Sequence, residues 1–155
     1  MSIDLLKALT RHYALVNKAA KNPATDVPSE LDFVPGLGDD LESMIWVLTY
    51  AIMLHHQANL EGSDKADYKR DVVDAFYGCL SYSGLAIQRE ILMIRAINQR
   101  TDELQDCIPD PVQRKWVRGA MTLVAGQNCL FPGGSMESIT FDAFDKLCDD
   151  ILTNE

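Results

Sequence analysis

The sequence is poor in cysteine and in positive charge and has no long apolar run, and each shortage removes a class of protein. Its four cysteines, Cys79, Cys107, Cys129 and Cys148, lack the close pairs of a zinc site and are too sparse for a disulfide-stapled miniprotein. They read as reduced, partly buried thiols. Only 14 Lys and Arg stand against 23 Asp and Glu, a formal charge of −9. Recognition of a phosphate backbone or an anionic bilayer surface needs a net basic face, so neither nucleic acid nor membrane is expected as a partner. The longest apolar stretch, Met44 to Leu54 broken only by Thr49, falls well short of the roughly 20 residues of a bilayer crossing. Asp4 and Lys7 interrupt any apolar leader, so the chain is expected to be intracellular and cytoplasmic.

What remains is a chain of 155 residues, 47% hydrophobic and 24% charged, which suffices for one packed domain. Leu5, Leu9, Tyr13, Val16 and Ala20 recur at helical spacing and predict an N-terminal helix over 1–22, ended by Asn22-Pro23. Residues 23–38, with three prolines and two glycines, read as an extended, docked connector whose apolar patch is Leu31, Phe33 and Val34. Asp39 or Asp40 is then expected to cap a helix over about 40–56, with Glu42 adding to an acidic first turn that suits the helix dipole. From Met44 to Leu54 that helix is apolar on every face, so it should be buried at the centre of the fold, leaving at His55 and His56.

Further helices are expected from about Asp64 to Leu80, with Tyr68, Val72, Phe76 and Cys79 or Leu80 on one side, and from Leu85 to Ile97, with Ile87, Ile91, Ile94 and Ile97 or Leu92 inward. Asn98 to Asp106 reads as loop. Asp110-Pro111 is a cap followed by a first-turn proline, opening a helix with a Trp116, Ala120, Leu123, Val124 stripe that ends near Gly126. Pro132 to Ser135 is a turn, and Thr140 caps a last helix carrying Phe141, Phe144, Leu147, Cys148 and Ile151. The fold class is therefore all-α, one domain over 1–155, with about six helices around a buried central one.

No catalytic apparatus can be assembled from these residues. Gly36-Leu37-Gly38 is followed by two aspartates and no lysine, so it lacks the spacing and the cation of a phosphate loop. His55 and His56 are adjacent, which on a helix turns their rings about 100° apart, unlike the i, i+4 pair that shares a metal. Asp39, Asp40 and Glu42 suit a charged helix start better than a cation site. No catalytic residue, cofactor site or metal site is expected. Asp39, Asp40, Glu42, Ser43, Trp46, His55 and His56 stand as structural or interaction candidates.

The run Gly38-Asp-Asp-Leu-Glu-Ser-Met-Ile-Trp-Val-Leu-Thr-Tyr-Ala-Ile-Met-Leu54 resembles the long central helix of the protein kinase C-terminal lobe, in the form seen in casein kinase one and in fungal-type protein kinase domains. Asp71 to Tyr77, Ile108 to Trp116 and Ser138 to Phe144 look like the helices that close such fungal domains, so the resemblance spans about Val34 to Leu152. It implies a C-lobe-like arrangement over 39–153, with Asp40 as the helix-start aspartate that would hold the catalytic loop. The chain carries no Gly-rich loop, strand-borne lysine, His-Arg-Asp loop or Asp-Phe-Gly site, the parts that bind nucleotide and metal.

The expectation is thus a non-catalytic, kinase-derived helical module that acts by binding a protein partner or by self-association. The helix over residues 3–22, or else a second subunit, is the natural cover for the central helix. Two alternatives make different predictions: a split kinase whose second chain supplies ATP binding, and a metal-assisted hydrolase built on His55, His56 and nearby carboxylates.

Overall fold

The computed structural model describes residues 1–28, 31, 33–56, 81–97, 104–105, 108–128 and 137–152. Five helices account for most of them and no strand occurs among the described residues: α1 (Ile3–Lys21), α2 (Leu37–His55), α3 (Tyr82–Ile97), α4 (Pro111–Gln127) and α5 (Phe141–Leu152). The expected helix from Asp64 to Leu80, the turn at Pro132 to Ser135, and Cys79, Cys107 and Cys129 lie outside the described residues. Cys148 is a free, half-buried thiol.

The helix starts follow local chemistry. Ser2 caps α1 by accepting the Leu5 N–H at 3.2 Å. Asp110 accepts the Val112 and Gln113 N–H groups at 2.8 and 2.9 Å, with Pro111 in the first turn, as the sequence predicts. Thr140 takes the Ala143 N–H at 3.2 Å. Ser81 opens α3 by accepting the Gly84 N–H, so the Ser-Tyr-Ser-Gly stretch starts a helix. Leu104 and Gln105, expected in a loop, form a helical turn with Leu104 buried.

Among the described helices the hub is α4, which packs against α2, α3 and α5, while α1 lies chiefly on α3. Its buried stripe, Trp116, Val117, Ala120, Met121, Val124 and Ala125, supplies much of the core. The expected central place of α2 is therefore corrected: Leu41, Ile45, Trp46 and Met53 are buried, but Met44, Val47, Leu48 and Leu54 are exposed, Val47 by 64%. Apolarity on every face permits burial on every face but does not supply the neighbours, and among the described helices α2 packs extensively only on α4.

Four further readings are corrected by burial. On α1 the anchored positions are Ile3, Leu6 and Ala8; Tyr13, Val16 and Ala20 are exposed, so α1 does not cover α2. On α3 the inward face is Ala86, Arg89, Leu92, Met93 and Ala96, whereas Ile87 and Ile94 face solvent. In the connector, Val34 is 90% exposed while Leu31 and Phe33 are half-buried. On α5, Phe141 is exposed and Phe144 and Leu147 pack on the core; the side chain of Ile151 lies outside the described residues.

Candidate functional site

Two features of α2 bear on function: a buried carboxylate on its inner face and an apolar groove on its outer one. Glu42 is 0% exposed. One oxygen, Oε1, accepts the Ile3 backbone N–H at 2.8 Å and the Trp46 indole N–H at 3.0 Å. The other, Oε2, accepts the side-chain amides of Gln127 at 2.8 Å and Asn128 at 3.3 Å. Gln127 in turn accepts the Ile139 N–H at 3.0 Å, so a single carboxylate joins the start of α1, the inner face of α2, the end of α4 and the strand-free segment before α5.

The electrostatics of that knot are finely opposed. Burial pushes the Glu42 carboxyl above its usual value, against the four donors, which favour the anion. Arg89 of α3 is also buried and its guanidinium lies 4.9 Å from the centre of the Trp46 ring, a cation–π contact. Burial pulls Arg89 down to about 10, opposed by the Glu42 charge, and the guanidinium donates to the Met1 carbonyl. Arg89 remains charged at neutral pH. The arrangement holds four segments in register and points no acidic proton at open solvent, which is the work of a structural hub.

Gly38 sits against the same hub. A Cβ there would overlap the Ser138 hydroxyl and the Gln127 amide oxygen, so only glycine lets the first turn of α2 close on the end of α4.

The other sequence candidates have separate fates. The helix begins at Leu37 with Gly36 as its N-cap, so neither Asp39 nor Asp40 is the cap; Asp39 instead reaches back to accept the Gly36 N–H at 2.9 Å. Asp40, the supposed partner of a catalytic loop, is exposed. Ser43 spends its hydroxyl on the Asp39 carbonyl at 2.8 Å. His56 is buried with Nε2 2.7 Å from the Gln113 side-chain oxygen, and His55 is exposed with its ring edge-on to that of His56, centroids 4.9 Å apart. No group of three or more potential metal ligands occurs among the described residues.

The groove lies between the outer face of α2 and the first turns of α4, and encloses about 430 Å³. Leu48, Ala51, Ile52 and His55 form one wall; Val112, Gln113 and Trp116 form the other. His56 to Gln113 pins the two walls at one end. No protein-family model, curated protein or solved structure matches the chain. Nor is any helix among the described residues long and apolar enough to cross a membrane.

The sequence marks Glu42 and Trp46 as candidates but gives no such mark to Arg89, Gln127, Asn128 and Gln113. The available signal was faint: Arg89 follows Ala86 by three and precedes Leu92 and Met93 by three and four, which puts a charge in the middle of an apolar face. Gln127 and Asn128 carry no such mark, since their partner is 85 and 86 residues away.

Proposed function

We propose that the chain is a non-catalytic helical module, derived from a protein kinase C-lobe, that acts by binding another protein. The observation that carries this reading is the outer stripe of α2, where Met44, Val47, Leu48 and Leu54 are exposed on a helix whose opposite side is built into the core. Apolar side chains on successive turns of one face are the surface against which an amphipathic helix packs. The groove beside the stripe has helices for both walls, and the α2 wall from Leu48 to His55 is about 11 Å long at 1.5 Å per residue. Its occupant is a partner helix, apolar on one face and basic on its flanks, because a chain at −9 draws cationic partners toward itself. The kinase ancestry rests on the sequence resemblance over about Val34 to Leu152, strongest from Gly38 to Leu54.

Trp116 lines the groove and reports on it directly. The chain is titrated with a Leu- and Lys-rich amphipathic peptide of about 14 residues, roughly 21 Å as a helix, while tryptophan fluorescence is followed in a Trp46→Phe background. Saturable change is expected, weakened about tenfold or more by Ala51→Glu. That substitution adds negative charge and so strengthens any purely electrostatic contact, which makes the loss diagnostic of the groove. Equal binding by the variant, or none by either chain, refutes the reading. Sedimentation at rising protein concentration identifies self-association as the alternative occupant, and magnesium-dependent binding of an ATP analogue by the chain alone would favour the split kinase.

A further inference from the structure

The helix α1 is anchored by its first half. Ile3, Leu6 and Ala8 are buried, the Ile3 N–H donates to Glu42, and Lys7 pairs with Glu90 of α3 at 2.8 Å. From Arg11 to Lys21 every residue is exposed except the half-buried His12 and Ala19. Tyr13 stacks on Tyr82 near the base of this stretch, and the stretch as a whole is an arm about 16 Å long at 1.5 Å per residue. The arm is amphipathic. At about 100° per residue, Leu15, Val16, Ala19 and Ala20 fall within one arc of the helix and Arg11, Lys18 and Lys21 within the opposite one. Leu15 and Val16 are 37% and 39% exposed, so the apolar arc meets water.

Charge separates this helix from the rest of the molecule. Four cations and the single carboxylate of Asp4 give α1 a local +3, which leaves −12 on the remainder of a chain whose total is −9. A helix apolar on one side and basic on the other is the occupant that the α2–α4 groove calls for, and the chain carries one of its own. Within a single copy the two surfaces are kept apart. Glu42 ties the start of α1 to the inner face of α2, α1 then runs along α3, and no α1 residue lines the groove on the outer face.

We propose that the arm of one copy lies in the groove of a second copy, which returns the same contact, so that a two-fold pair is held by two arm-in-groove contacts. This rests on the groove being a helix-binding site, as proposed above, and names the helix that fills it when no other partner is present. The first half of α1 stays on its own body, so the exchange releases no buried residue. Two copies at −9 repel each other at a distance, and the approach that sets a +3 helix against the −12 remainder is the one that charge favours. Leu15 and Val16 then leave water against the Leu48, Ala51 and Ile52 wall, with Trp116 opposite.

The test is sedimentation equilibrium of the full chain from about 1 μM to about 1 mM, in which a dimer is expected to form. Val16→Asp blocks the arm and Ala51→Glu blocks the groove, both at exposed positions where the thermal melt should not change. Each should weaken dimerisation about tenfold or more. An equimolar mixture of the two variants should associate again, because the intact arm of the Ala51→Glu chain meets the intact groove of the Val16→Asp chain. A misfolded variant would rescue nothing, so recovery marks the contact itself. The Leu- and Lys-rich peptide competes for the groove and should return the wild-type dimer to monomer. A chain that stays monomeric at about 1 mM yet binds that peptide overturns this pairing and leaves the groove as a helix-binding site; a monomer that binds no peptide removes both. Dimerisation lost with Val16→Asp but indifferent to Ala51→Glu assigns the arm to a copy of itself, and a monomer that sediments with phosphatidylserine vesicles assigns it to a lipid surface. Either result overturns the pairing, as does a mixture that fails to associate.

Discussion

Glu42 accepts hydrogen bonds from four residues on three helices and their flanks. Replacing it by alanine leaves buried donors on Ile3, Trp46, Gln127 and Asn128 unmatched, and each such donor costs about 1–3 kcal/mol. Partial rearrangement of the amides lowers the sum, so Glu42→Ala is expected to lose about 3 kcal/mol or more in urea denaturation. The pH dependence has a definite sign. The folded carboxyl lies above its unfolded value because of burial, so its contribution to stability is full below the unfolded value and is lost as pH rises through the folded one. Stability of the wild type relative to Glu42→Gln should therefore fall as pH is raised from acid towards neutral, measured by denaturation across that range. Gly38→Ala should cost about 1–3 kcal/mol, since the new methyl displaces Gln127 from its two partners. At this scale the sequence was legible where the chemistry is local. Asp110 caps a helix whose amides follow it by two and three residues, whereas three of the four donors to Glu42 are 39 to 86 residues away, and a first-turn acid looks the same whether it faces solvent or the core.

Among the elements, α4 was the most readable and α2 the most misleading. The α4 stripe alternates large apolar groups with charge at a clear helical period, which leaves one packing solution. On α2 the apolar residues run all round, so periodicity cannot say which side meets a neighbour; Glu42, Thr49 and Gly38 on the buried side and Val47 on the exposed side invert the simple rule. The faces of α1 and α3 were misjudged for a related reason. Small residues at Ala86 and Ala96, with Arg89 against Trp46, turn α3 inward along a line that bulky Ile87 and Ile94 do not mark. The anchoring of α1 near its start makes a paired prediction. Leu6→Ala, at a fully buried position, should lose about 2–5 kcal/mol by urea denaturation. Tyr13→Ala removes a half-exposed ring stacked on Tyr82, centroids 5.6 Å apart, and should lose no more than about 1.5 kcal/mol. Equal losses would mean that α1 is held along its whole length.

For the whole molecule, the all-helical class was legible from composition and spacing, but the packing order was not, because it is set by which helix finds three neighbours. The charge of −9 acts at this scale too. Attractive pairs such as Lys7 to Glu90 at 2.8 Å are local and partly exposed, so repulsion among the surplus carboxylates dominates at long range. Raising ionic strength from about 0.01 M to about 0.15 M shortens the screening length from about 30 Å to about 8 Å and should raise Tm at neutral pH, a change that calorimetry measures directly. The knot at Glu42 has one more consequence. The amide protons of Ile3 and Ile139 belong to opposite ends of the chain, yet both are tied to the same carboxylate, one directly and one through Gln127. Their isotope exchange should therefore proceed with a common opening free energy, and Gln127→Ala should accelerate both together.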